Sequence, residues 1–133
     1  MGDCDALVCG PVGKYEAHLR HVADVIGRSP AAPVFAAMNG LLLPDRTLFV
    51  CDTYVNRNPS AEELAGIALL AADAVRRFGL EPKVALLSHS NFGSDDSKSA
   101  RKMREVRRLL VERAPNLEVD GEMHGDAALS EAI

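Results

Sequence analysis

The sequence has no tryptophan and few aromatic residues of any kind, which bears first on nucleic acid binding. Aromatic residues make up 5% of the 133 positions. A protein that stacks bases needs exposed aromatic rings, and one that binds phosphate backbones needs an excess of positive charge. The formal net charge here is −4. We therefore expect no nucleic acid partner.

Long apolar runs and paired cysteines are also missing. No apolar run approaches the roughly 18 residues that a membrane-spanning helix needs. The segment Met1–Asp5 lacks the basic and apolar regions of a signal peptide. The three cysteines, Cys4, Cys9 and Cys51, are odd in number and match no zinc or redox spacing. These absences predict reduced cysteines, no membrane partner and a cytoplasmic location.

Short apolar segments alternate with helical periodicity along the chain. Strands are predicted at Ala6–Gly10, Val34–Leu43, Thr47–Thr53, Lys83–Ser88 and Leu117–Glu122. Helices are predicted at about Lys14–Arg28, from Ser60 to Gly79, at about Ser99–Arg113 and after Asp126. This alternation is typical of an α/β fold. We expect a three-layer αβα, Rossmann-like mixed sheet of about five strands covered on both faces, with a hairpin at the Leu43–Arg46 turn.

The ends of the sequence bear on domain organisation. The apolar-rich stretch after Asp126 reaches Ile133 without a helix stop signal, and the first strand begins about five residues into the chain. We therefore expect residues 1–133 to form a single α/β lobe, truncated at its C-terminus and belonging to a longer protein.

One loop offers more hydrogen-bond donors than any other. In α/β sheets, ligands bind outside the carboxyl ends of the strands. The loop that follows such a strand carries Ser88, Ser90, Asn91, Gly93 and Ser94. The next helix adds N–H groups at its N-terminus, and Arg101 adds positive charge. The pattern favours a phosphorylated ligand held at this loop, with Gly10, Asp120 and Glu122 on the rim; a solvated loop is the alternative.

Two further patterns leave alternatives open. The basic residues of the third helix, with Arg101, Arg104 and Arg108 on one face, indicate either a solvated surface or attraction for a phosphorylated ligand or an acidic partner. Asp120, Glu122 and His124 alternate along a strand, as metal ligands or as a polar rim; we predict no metal. No nucleophile, acid or base stands out, so no catalytic residue is predicted.

Longer segments resemble the phosphate acetyltransferase family. They are residues 5–10, 58–65, 81–94, 99–105 and 119–128. The last two are similar to the version of this domain that is fused to the C-terminus of bacterial NADP-dependent malic enzymes. The resemblance covers nearly the whole chain. It implies an isocitrate/isopropylmalate-dehydrogenase-like architecture of two α/β lobes, with this chain as the second lobe.

The resemblance also implies a function. The parent protein would oxidatively decarboxylate malate to pyruvate, with NADP and a divalent metal in its separate malic domain. This lobe would sense acetyl-CoA or CoA and assemble a homo-oligomer, with no cofactor of its own. The Asn-Asp-Leu-Ser-Arg-Gly type segment that carries the family's catalytic residues does not occur in the sequence, so we expect the 133 residues alone to be inactive. The alternative is a lobe of an active phosphate acetyltransferase, which makes acetyl-CoA from acetyl phosphate and CoA.

Overall fold

The computed structural model describes residues 7–130, and contacts divide the chain into two units at Ala31. Among its described residues, the first unit contains one helix, α1 (Tyr15–Val25). The ring of His18 on this helix contacts the preceding turn, with Nε2 2.8 Å from the Val12 carbonyl oxygen. Residues 7–10 form no strand, and their side chains are exposed. The predicted strand Ala6–Gly10 is therefore wrong over these four residues, because none of them pairs with another strand; Ala6 lies outside the described residues.

The second unit begins with a β-hairpin. Strands β1 (Met38–Leu42) and β2 (Thr47–Cys51) pair antiparallel, and the Leu43 N–H closes the turn by donating to the Arg46 carbonyl at 2.9 Å. The predicted hairpin is confirmed. Its predicted coverage on both faces is wrong, since most residues of both strands are exposed.

Helix α2 (Ala61–Arg77) begins at a capping box. The Ser60 hydroxyl accepts from the Glu63 N–H at 3.2 Å, and the Glu63 carboxylate accepts from the Ser60 N–H at 2.7 Å. Such a cap satisfies two backbone donors that a helix start otherwise leaves open. The helix ends before Gly79, whose φ of 76° is the left-handed conformation that glycine adopts most readily. Both ends agree with the sequence-based prediction.

Three elements of the second unit position the candidate site. They are strand β3 (Lys83–Leu87), helix α3 (Lys98–Arg113) and strand β4 (Glu118–Met123). The two strands pair in parallel, so their carboxyl ends lie side by side. The core packs α2 and α3 against β3 and consists of Ala65, Ala68, Leu86, Val106, Leu109 and Leu110. Burying a valine or leucine side chain contributes about 1.5–3 kcal/mol. Val106, Leu109 and Leu110 therefore anchor α3 in this core.

The mixed α/β character is confirmed, but the predicted sheet is not. Residues 7–130 hold four strands in two separate two-stranded sheets, rather than one five-stranded sheet in three layers. The hairpin pairs only with itself, and the expected first strand pairs with nothing in the described chain. The helix predicted after Asp126 is a single 3₁₀ turn, Ala127–Leu129, with residues 131–133 outside the described range. Within the described residues, no helix combines the length and apolar character needed to cross a bilayer.

Candidate functional site

A buried carboxylate lies at the carboxyl end of the parallel strand pair. Glu122 is 1% exposed, and its Oε1 accepts three hydrogen bonds. The Ser90 hydroxyl and the Gly93 N–H each donate at 2.8 Å, and the Arg104 guanidinium donates at 3.0 Å. Burial alone raises the pKa of Glu122, but the hydrogen bonds from Ser90 and Gly93 and the contact with Arg104 outweigh it and hold that pKa below the ordinary 4.5. Glu122 is therefore an ionised group that links a strand, a loop and a helix.

A β-bulge explains why the Glu122 side chain reaches the loop. Leu86 pairs with Gly121 and Leu87 pairs with Met123, so Glu122 is skipped in the register. A bulge re-aims the side chain of the unpaired residue. Its backbone also takes part, because the Glu122 carbonyl accepts from the Phe92 N–H at 2.8 Å.

The donor-rich loop of residues 88–95 is folded largely on itself. The Ser88 hydroxyl accepts from the Ser90 N–H at 2.9 Å, and the Ser90 hydroxyl accepts from the Asp95 N–H at 3.1 Å. The Ser94 hydroxyl accepts from the Asn91 N–H at 2.9 Å. Ser90 is fully buried. Several polar groups that the sequence assigns to a ligand are thus engaged within the protein.

Phe92 stands out at the tip of this loop. Its φ is +48°, a left-handed conformation that costs a non-glycine residue about 1–2 kcal/mol. The following Gly93, at φ 87°, adopts a similar conformation without that cost. Phe92 is 57% exposed, so its apolar ring is held toward solvent. Backbone strain of this kind tends to occur where a loop has a binding or catalytic role.

An open pocket of about 370 Å³ lies beside the ring. It is lined by Phe92, Gly93, Arg104, Arg107, Asp120, Gly121 and Glu122. The Arg107 side chain is 47% exposed, and its Nε lies 3.6 Å from an Asp120 carboxylate oxygen. Gly121 is packed closely against β3, because a Cβ there would lie 2.6 Å from the Leu86 carbonyl oxygen. A guanidinium next to an exposed ring suits an anion attached to an apolar or aromatic group.

The structure places the remaining predicted residues differently from one another. Asp120 and Glu122 both line this pocket, and their role at the rim of a ligand site stays a prediction. Asn91 joins the loop to the end of β4, since its Oδ1 accepts from the His124 N–H at 2.6 Å. Arg101 pairs with Asp96 at 3.1 Å. Gly10 belongs to the first unit, and its place on the rim stays a prediction.

Sequence reasoning included Arg104 and Arg107 only in a basic helix that could face solvent, a phosphorylated ligand or an acidic partner, and it did not predict Phe92 as a site residue. The spacing of three between the two arginines is the signal that places them on one helix face. Phe92 carried no such signal, because a lone aromatic in a polar loop reads as incidental. Within the described residues, no group of three or more His, Cys, Asp or Glu side chains is placed to hold a metal ion.

Known proteins match this chain along its full length. The family model for phosphate acetyl/butaryl transferase matches residues 1–133. An NADP-dependent malic enzyme of Escherichia coli is 58% identical over 99% of the chain, which spans 17% of that protein. A phosphate acetyltransferase of Haemophilus influenzae is 35% identical over 98% of the chain, which spans 18% of that protein.

Solved structures agree with these matches. A phosphotransacetylase from Streptococcus pyogenes superposes with a TM-score of 0.83 at 27% identity, over 92% of this chain and 38% of that one. The EutD phosphotransacetylase from Staphylococcus aureus gives a TM-score of 0.75 at 29% identity, over 83% and 34%. Since the family model matches residues 1–133 and the solved structures share the fold over most of the chain, the chain belongs to the phosphate acetyl/butaryl transferase family.

Proposed function

We propose that this chain is the acetyl-CoA-sensing and oligomerisation lobe of an NADP-dependent malic enzyme, which oxidatively decarboxylates malate to pyruvate. The observation that carries the proposal is the difference in identity between two kinds of relative. The chain is 58% identical to a malic enzyme but 35% identical to a phosphate acetyltransferase, over nearly the same residues. In each case it spans less than a fifth of the relative, so the reaction belongs to the whole protein.

The pocket supports a ligand of the CoA type. Acetyl-CoA carries phosphates and an adenine ring, so it presents both anionic and aromatic groups. Arg107 offers a partly exposed guanidinium, and Phe92 offers an exposed ring beside it. Stacking on Phe92 and charge-assisted hydrogen bonds from Arg107 would together recognise such a molecule. The loop serines would contribute by fixing the shape of the site.

The other parts of the proposal concern the parent protein. NADP and a divalent metal would bind in its malic domain, and the enzyme would work in the cytoplasm. The apolar residues at the tip of the hairpin support assembly with other copies or domains: Leu41, Leu42 and Leu43 are all exposed. Exposed apolar clusters of this kind mark interaction surfaces.

Two neighbouring arginines on α3 give a matched test. Arg107 faces the pocket, whereas Arg108 pairs with Glu105 and Glu112 along the helix. In the full-length protein, Arg107→Ala should raise the acetyl-CoA concentration for half-maximal effect on malate oxidation about tenfold, the loss of one charge-assisted hydrogen bond. Arg108→Ala should leave it within about twofold, since an exposed ion pair contributes little. The proposal would be contradicted if both variants changed the half-effect concentration equally, or if acetyl-CoA had no effect on malate oxidation by the wild type.

The alternative is a lobe of an active phosphate acetyltransferase. The observation in its favour is the TM-score of 0.83 with a phosphotransacetylase over 92% of the chain. Catalysis in that case would consist mainly of positioning the CoA thiolate against acetyl phosphate. Formation of acetyl-CoA from acetyl phosphate and CoA by the full-length protein, faster than about 1 s⁻¹, would favour this alternative.

A further inference from the structure

We propose that Glu122 is a positioning residue: its buried carboxylate holds the loop of residues 88–95 in the shape that presents Phe92 to the pocket. The inference rests on the proposed function for its ligand, but the positioning itself is a property of the loop. Three structural elements meet at one oxygen atom, since Ser90 and Gly93 come from the loop, Arg104 from α3 and Glu122 from β4.

The contacts bracket the strained residue on both sides. Ser90 and Gly93 lie before and after Phe92, and both donate to Glu122 Oε1 at 2.8 Å. The Phe92 N–H donates to the Glu122 carbonyl, also at 2.8 Å. A bulky residue at φ +48° keeps that conformation only where surrounding contacts fix it. Glu122 supplies three such contacts, two through its side chain and one through its backbone.

Arg104 adds a positive charge beside the buried carboxylate, at 3.0 Å from Glu122 Oε1. It also donates to the Asp95 carbonyl at 3.2 Å and pairs with Asp96 at 2.7 Å. The guanidinium thus joins Glu122 to the far end of the same loop. Hydrogen bonds to a charged acceptor are about twice as strong as those to a neutral one. The charge of Glu122, and not only its shape, should therefore determine how firmly the loop is held.

Graded substitutions at one position test this inference. Glu122→Gln keeps the size and one acceptor oxygen but removes the charge, and Glu122→Ala removes both. The control is Val106→Ala, because Val106 is 1% exposed in the core on α3 and its side chain has no atom that can hydrogen-bond to the loop. It should destabilise the lobe through a cavity and leave the loop contacts in place.

Hydrogen exchange of the loop amides in the full-length protein is the first measurement. We expect exchange in residues 91–95 to become about tenfold faster in Glu122→Ala and to be intermediate in Glu122→Gln. Val106→Ala should speed exchange in the helices and strands while the loop keeps its protection relative to them. Loop exchange in Glu122→Ala equal to that of the wild type would overturn the positioning role, whether or not any ligand binds.

Calorimetric titration with acetyl-CoA is the second measurement. Affinity should fall in the order wild type, Glu122→Gln, Glu122→Ala, while Val106→Ala binds as the wild type does at a temperature where it is folded. A wild type that does not bind would defeat the proposed function and leave the exchange result to decide on Glu122. A wild type that binds, with Glu122→Ala binding equally well, would defeat the inference and leave the proposed function standing.

Discussion

The Ser90 hydroxyl donates to the Glu122 carboxylate at 2.8 Å, across 32 positions of sequence. The bond joins the loop after β3 to the bulge in β4. Both side chains are almost fully buried. The pocket at this end of the sheet therefore lies over a buried polar contact, and substitutions beneath it should affect stability as well as any ligand binding.

Acid should weaken this unit through Glu122. Its pKa is lower in the folded protein than the ordinary 4.5. A group with a depressed folded pKa contributes stability above its unfolded pKa, and that contribution is lost as the pH falls through the folded value. Thermal unfolding of the wild type should therefore show decreasing stability below about pH 4.5. Glu122→Gln should be less stable at pH 7 and should lose less on acidification; a parallel pH profile for both proteins would contradict this.

Phe92→Gly should separate stability from binding. Glycine adopts positive φ freely, so relief of backbone strain should offset the greater freedom of the unfolded chain. We expect the melting temperature to change by no more than a few degrees, because the ring is mostly exposed. Acetyl-CoA binding should weaken measurably in the same protein. A large fall in melting temperature would show that the ring has a packing role instead.

Gly121→Ala should be strongly destabilising. Gly121 has a φ of 118°, and an added Cβ would lie 2.6 Å from the Leu86 carbonyl oxygen in the paired strand. Because backbone cannot move aside cheaply, we expect a loss of about 2–4 kcal/mol in the free energy of unfolding. Gly40→Ala in the exposed hairpin is the control, since its nearest neighbour is a Phe49 ring carbon at 3.6 Å. Chemical denaturation of both variants decides the matter, and equal losses would refute the steric argument.

The 133-residue chain should self-associate. The exposed leucines of the hairpin provide an apolar surface, and both hairpin strands lie at sheet edges. Light scattering should give a mass above 14.3 kDa that rises with concentration. Leu42→Ser, which removes the most exposed of these side chains, should shift the distribution toward monomer. A clean monomer across a wide concentration range would refute the prediction.

Local signals in the sequence predicted both ends of α2 and the turn of the hairpin correctly. The capping box at Ser60, the glycine stop at Gly79 and the Leu43–Arg46 turn all depend on neighbouring residues, and the structure has each of them. The arrangement of the sheets depends on pairing between distant segments, which periodicity does not encode. Apolar residues were taken to indicate buried strands, but in the hairpin they are mostly exposed.

For the candidate site, too, the sequence indicated some features and not others. Residue chemistry indicated the loop after β3 and the rim at Asp120. The direction of each side chain was not predictable, because the bulge that turns Glu122 inward is a property of the β3–β4 pairing. The sequence predicts serines that face a ligand, because it does not show which way a loop side chain points. Their hydroxyls are short enough to satisfy the loop's own backbone, and that local use prevails in the structure.

Arg104 and Arg107 stand one turn apart on α3, and Val106, Leu109 and Leu110 on the same helix are part of the core. The middle of the helix thus borders the pocket, while neighbouring residues of the same stretch are buried in the core. An anion that binds Arg107 would stabilise β3, α3 and β4 together, because its binding free energy would add to the free energy of unfolding of these elements. Ligand binding would then be detected as a more stable lobe, without any segment changing its fold.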